Sequence, residues 1–154
     1  MARGISPIVG VVCLVAVTAV LASVVAVTVP VGSTPEPTIA AFDAAADPGG
    51  EVSITHSGGE AIDPEALDVR IEVDGEPLSE QPPVPFFSAT GFDSAPTGAF
   101  NSATTDPWRT GETASLAIAG TNGPAIDPGD TVRVRIYVDG YSVATAEATA
   151  YSNN

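Results

Sequence analysis

The chain has no lysine. Its five basic residues are Arg3, Arg70, Arg109, Arg133 and Arg135, set against 19 acids, and the net charge is −14. Neutralising phosphates takes basic surface, so nucleic-acid binding is excluded as a function class. The single cysteine, Cys13, excludes a disulfide and a cysteine-built zinc site in the rest of the chain. One histidine, His56, no glycine-rich phosphate loop and no Ser/His/Asp arrangement leave no catalytic constellation. The sequence therefore points to no enzyme, cofactor or metal. Asn101, Asn122 and Asn153 are not followed by Ser or Thr two residues on, so there is no glycosylation sequon. The longest absence is of charge itself: the 32 positions between Arg3 and Glu36 carry none.

What fills that gap is apolar. Ser6 is a favoured N-cap and Pro7 a favoured first helical residue, because a proline there loses no hydrogen bond. Pro30 and Gly32 read as the stop. A helix from Pro7 to Val29 is ~34 Å long at 1.5 Å per residue, enough to cross a bilayer. Its valines and threonines are poor helix formers in water. Lipid reverses that, because unpaired backbone groups there force a helix. Thr18, Ser23 and Thr28 can bond back to their own helix. The segment is apolar all round, which predicts burial all round, in lipid or among other helices. Other readings are a plain membrane anchor and a signal peptide cut near Leu21-Ala22-Ser23, although the apolar run continues past that point. Cys13 reads as a small apolar helix residue. A lipidated cysteine would want a small residue before it, and Val12 stands there.

Arg3-Gly4 followed by Ile5-Ser6-Pro7-Ile8-Val9-Gly10-Val11 resembles the class III signal of archaeal type IV pilins, haloarchaeal ones especially. The resemblance implies that a membrane prepilin peptidase cuts between Gly4 and Ile5. Arg3, Ser6 and Pro7 complete that processing motif. Val9 would be the fifth mature residue, where bacterial pilins carry a glutamate and archaeal ones generally do not. Close packing of apolar helices favours small residues, and Gly10, Ala16, Ala19, Ala22 and Ala26 supply them. The acid-rich, lysine-free composition looks like that of extreme halophiles. In molar salt the Debye length is about 3 Å, so such a surface repels itself little. The implied function is a structural subunit of a pilus-like surface filament serving adhesion or cell contact. Its partners would be other pilin subunits, the prepilin peptidase and the membrane. The implied location is the cell membrane, single-pass with the outer domain outside, and then the cell-surface filament. The alternative is a monomeric membrane-anchored envelope domain, including an archaellum-associated one.

The expected organisation is a leader over 1–4, an apolar helix over 5–31, a linker over 32–37 and an extracellular β domain over 38–154. Past the linker, alternating stretches separated by Gly, Pro and Asp turns predict an all-β, immunoglobulin-like sandwich. Strands are expected over Ile39–Phe42, Val52–His56, Leu67–Val73, Ala114–Ala119, Val132–Val138 and Tyr141–Tyr151. Asp74-Gly75 and Asp139-Gly140 read as two-residue hairpin turns. A repeat underlies this pattern: Val69-Arg70-Ile71-Glu72-Val73-Asp74-Gly75 recurs as Val134-Arg135-Ile136-Tyr137-Val138-Asp139-Gly140. The two copies read either as similar elements contributed to facing sheets or as recurrent Asp-Pro and Asp-Gly turn chemistry. Asp63, Asp74, Asp127, Asp130 and Asp139 read as solvated turn residues, since no loop has the spaced acids of a calcium site. The proline-rich segment 81–109 is irregular but aromatic. Phe86, Phe87, Phe92 and Trp108 read either as satellite core or as a surface contact. Trp108, Gly111 and Gly129-Asp130-Thr131-Val132 resemble scattered positions in outer domains of haloarchaeal pilin-like proteins.

Overall fold

The structure, a computed structural model, describes residues 9–18 and 36–151. The chain divides into two units between Glu36 and Pro37. In the first, residues 9–18 form a helix, α1. Thr18 Oγ1 donates to Leu14 O at 2.8 Å, the back-bond expected of a hydroxyl within an apolar helix. Among the described residues, no helix is long and apolar enough to cross a membrane. Residues 5–8 and 19–31 of the expected helix lie outside the described residues.

The second unit is an all-β sandwich. Its strands are β1 (Ala40–Ala46), β2 (Glu51–Gly59), β3 (Leu67–Val73), β4 (Glu76–Pro77), β5 (Thr113–Ala117), β6 (Thr131–Val138) and β7 (Tyr141–Thr149). They make two antiparallel sheets, ordered β1-β2-β5 and β4-β3-β6-β7. Period-two alternation decides which residues enter the core. Val52 and Ile54 of β2, Val69 and Ile71 of β3, and Val132, Val134 and Ile136 of β6 are all buried. Each such side chain contributes about 1.5–3 kcal/mol relative to exposure. β1 runs on to Ala46, past the expected end at Phe42, because Ala44, Ala45 and Ala46 pair with Ile54, Ser53 and Val52. Alanine is a poor strand former alone, so the neighbouring strand decides. Where β1 enters, Gly59 has φ +98, and a Cβ there would collide with the Ile39 carbonyl and Ala40 Cα. Only glycine fits that approach.

The repeat does not take the facing-sheet form. β3 and β6 are neighbours in one sheet, with Arg70 opposite Arg135 at the centre of the register. Around that centre the pairs are reciprocal: Val69 with Ile136, Ile71 with Val134, Leu67 with Val138 and Val73 with Val132. The ends match too. Asp74 N donates to Thr131 O at 2.8 Å, and Asp139 N donates to Ala66 O at 3.0 Å. Like apolar sequences antiparallel to one another share a face, which puts both inner sides on the same core. The repeat is thus a local two-fold axis within one sheet.

Candidate functional site

Three groups of residues are candidates: the apolar helix, the aromatic segment with His56, and the charged outer face of the four-stranded sheet.

Within α1, Val9, Val11, Val12, Leu14, Val15 and Val17 are all exposed. Their positions cover every side of a helix, so no polar face exists to meet water. Gly10 and Ala16 lie in α1 and are exposed with them. Cys13 is a free, exposed thiol. Arg3, Gly4, Ile5, Ser6, Pro7, Ala19, Ala22 and Ala26 lie outside the described residues.

The aromatic segment packs inward. Phe86, Phe92, Phe100 and Trp108 are buried, and of the aromatics there only Phe87 is exposed, at 59%. A surface-contact role for Phe86, Phe92 and Trp108 is therefore corrected: they belong to the core. The reason lies in what the segment covers. Proline interrupts any continuous ladder, so the segment attaches in short backbone bridges. Trp108 and Ile62 exchange backbone bonds of 2.7 and 3.0 Å. Phe86 N donates to Phe100 O at 2.8 Å. Thr97 N and Asp93 N donate to Ser115 O and Ala117 O along the open edge of β5. At Gly98, φ is +60 and a Cβ would stand 2.7 Å from Thr113 O, so glycine permits this close approach. Asn122 is buried and fully used: its Nδ2 donates to Glu80 O and Gly91 O, and its Oδ1 accepts from Glu80 N and Gly123 N.

His56 sits inside this cluster with no exposed surface. Its ring lies 4.9 Å from Phe42 edge-on and 5.9 Å from Trp108, and Phe42 and Phe100 lie 5.0 and 5.6 Å from Trp108. Such pairs each add about 0.5–1.5 kcal/mol beyond area burial. His56 Nε2 lies 2.7 Å from Glu60 O. A carbonyl only accepts, so Nε2 carries a hydrogen, and Nδ1 faces Thr110 Oγ1 at 3.4 Å. Trp108 Nε1 donates to Glu112 O at 3.0 Å. This histidine ties strand β2 to two loops and is sealed from solvent.

Among the described residues, no three His, Cys, Asp or Glu side chains gather to hold a metal ion. The turn aspartates bond locally instead. Asp63 Oδ1 accepts from Glu65 N, Asp74 Oδ1 from Thr131 N and Asp130 Oδ2 from Asp127 N.

The third group was missed as a unit in the sequence, although its signal is present as charges at alternate positions of β3 and β6. Glu72 reaches Arg135 at 3.2 Å and Arg133 at 3.7 Å, and Arg133 Nε donates to Glu147 Oε1 at 2.7 Å. The hydrogen bond from Arg133 to the Glu147 carboxylate, with its negative charge, raises the Arg133 pKa above its ordinary value. Arg70 pairs with Asp68 at 3.2 Å. The ladder crosses three strands with opposite charges largely offset.

No protein-family model matches the chain, and no curated protein matches it in sequence.

Proposed function

We propose that this protein is a pilin-like structural subunit of an archaeal, haloarchaeal-type surface filament. The observation that carries the reading is the contrast between its two units. The β sandwich completes a core of its own, while α1 presents valine and leucine outward on every side. Exposed apolar surface on that scale needs a partner. Lipid would supply it before assembly, and the helices of other subunits would supply it afterwards. On this reading residues 5–31 form one continuous apolar helix, held in the membrane and then in the filament core. Gly10, Ala16, Ala19, Ala22 and Ala26 permit close helix approach, and prepilin peptidase cuts between Gly4 and Ile5. The outer domain stands outside the cell, where adhesion or cell contact takes place. Seven strands in sheets of three and four, with connections that cross between them, support an immunoglobulin-like reading of the sandwich. The role is structural, with no chemistry of its own.

The test is the intact mass and N-terminal sequence of the protein recovered from native membranes or shed filaments. A mature chain starting at Ile5 is expected. A chain that keeps Arg3 and Gly4 would remove prepilin processing and leave a simple membrane anchor. A chain starting near Ser23 would make it a secreted domain.

A further inference from the structure

Any pull that reaches the β domain from its N-terminal side enters through the chain just past Glu36, where the two units join. The first strand it meets is β1, and side chains hold β1 only thinly. Its sequence is Ala-Ala-Phe-Asp-Ala-Ala-Ala, and of these residues Phe42 alone is buried. Alanine brings little apolar area and is a poor strand former. The ladder to β2 shifts register between Ala41 and Phe42, which interrupts the pairing close to the entry end. On its other side β1 lies along β7 without a backbone ladder. The strand that meets the pull is thus a weakly packed sheet edge.

The chain is fastened immediately before this strand. The register that sets Ala40 opposite Gly59 sets Ile39 opposite Glu60. An antiparallel pair of the hydrogen-bonded kind exchanges two backbone bonds. Here Glu60 N donates to Ile39 O at 2.9 Å, but Glu60 O is taken by His56 Nε2 at 2.7 Å. The Glu60 carboxylate supplies the missing half, and Ile39 N donates to its Oε2 at 2.9 Å. A bond from a backbone N–H to a carboxylate is roughly twice as strong as a neutral one. Glu60 is itself tied down, because His56 is wholly buried and packs on Phe42 and Trp108. One residue grips both backbone groups of Ile39 and is joined to the core through its own carbonyl.

We propose that Glu60 is a tension latch, which keeps β1 from peeling when the chain is pulled from its N-terminal side. The inference rests on the reading that the apolar helix is held in membrane or filament, which makes that side the fixed one. Ladder bonds lie across antiparallel strands. A pull across β1 therefore breaks them one at a time, starting where the chain enters. The Ile39–Glu60 pair is that starting point. Once it opens, the peel runs through the alanines to Phe42 and uncovers His56 and Trp108.

The test is optical trapping of the full chain in detergent micelles, with Cys13→Ala to remove the native thiol and handles on Ser33→Cys and Ser57→Cys. Both handles sit at the entry end, so load peels β1 from β2, which β5 holds from its far side. Release of β1 reads as a step of about 45 Å, two strand lengths. At constant load, Glu60→Ala is expected to shorten the lifetime before that step about fivefold. Glu60→Gln keeps a neutral acceptor and should fall between the two. With handles moved to Thr131→Cys and Asn154→Cys, load peels β7 instead, and Glu60→Ala should change that lifetime by less than about twofold. An unchanged β1 lifetime in Glu60→Ala overturns the proposal. So does equal shortening for β1 and β7, which would make Glu60 a general stabiliser. The lifetimes are read on chain in micelles, whereas the mature N-terminus decides the filament reading, so either can fail while the other stands.

Discussion

The hairpins β3–β4 and β6–β7 begin alike and end differently. Each leaves a long alternating strand through Val-Asp-Gly, with the aspartate at φ 50 and the glycine at φ 81 or 82. Both are two-residue turns whose twist suits a hairpin. The second hairpin then returns for nine residues, the first for two. The first gains just one more backbone bond past Pro77, from Leu78 N to Ile71 O at 3.1 Å, and stops where the Gln81 side chain enters. Ile136 is matched by Ala144 of β7, whereas on the corresponding side of Ile71 the carbonyl accepts from Leu78 N and the N–H finds no backbone acceptor, leaving a place where a strand would continue. The Gln81 side chain takes that place. Its Oε1 accepts from Ile71 N at 2.8 Å, and its Nε2 donates to Ile71 O at 3.0 Å and Leu78 O at 3.1 Å. A side-chain amide stands in for a missing peptide. The comparison teaches that the turn starts a hairpin and the residues after it decide its length.

The deepest break of the symmetry is in the core. Ile71→Ala and Ile136→Ala are each expected to cost about 2–5 kcal/mol, the range for truncating a buried isoleucine. If the two-fold relation extends to packing, chemical denaturation gives the two values within about 1 kcal/mol of each other. A gap twice that size would confine the relation to the backbone. Next is Gln81→Ala, which leaves the Ile71 N–H without its acceptor while the Ile71 carbonyl keeps its bond from Leu78 N. A loss of about 1–3 kcal/mol is expected, with faster amide exchange at Ile71 and none of that acceleration at Ile136. Unchanged exchange at Ile71 would mean that water or another strand satisfies it. The turns should differ by less. Asp74 Oδ1 also accepts from Thr131 N at 2.8 Å, so Asp74→Ala should cost about 1 kcal/mol more than Asp139→Ala. Equal costs would show that only turn geometry matters. The smallest effect lies outside the hairpins. Ala95 has φ 59, a conformation that costs a residue with a Cβ about 1–2 kcal/mol. Glycine removes that cost but loses about 0.4–1 kcal/mol to unfolded-state entropy. Ala95→Gly should therefore raise stability by about 0.5 kcal/mol, read as a small rise in Tm.

Much of the β domain was legible because alternation is a local signal. Leu67–Val73 is a strand over the residues expected of it, and β6 and β7 differ from expectation only at their ends. Both Asp-Gly turns sit where the dipeptide places them. The repeat was legible as sequence but not as geometry, since nothing local says whether like strands pair or face each other. The aromatic segment was half legible. Its prolines announced irregular backbone, yet whether Trp108 lies in or out depends on Ile62 and His56, both far along the chain, as well as on the nearby Glu112 carbonyl. Gln81 was invisible for the same reason: a polar residue beside prolines reads as loop, and its partner Ile71 is ten residues away. The charge ladder needed the register of β3, β6 and β7 before Glu72, Arg133 and Glu147 could be seen in one row.

The bridges along β5 bear on crowding. A sheet edge with open backbone groups recruits other chains into continuous sheets. Here Asp93, Thr97 and Gly91 already occupy the outer side of β5 and the residues just beyond it, through Ala117 O, Ser115 O and Ala119 N. On this side the domain is capped against edge-to-edge growth by its own chain. Copies packed at high density then have that route to amorphous or amyloid-like association shut. Specific contacts through side chains stay available, and the strap of prolines and aromatics works as a safeguard for solubility.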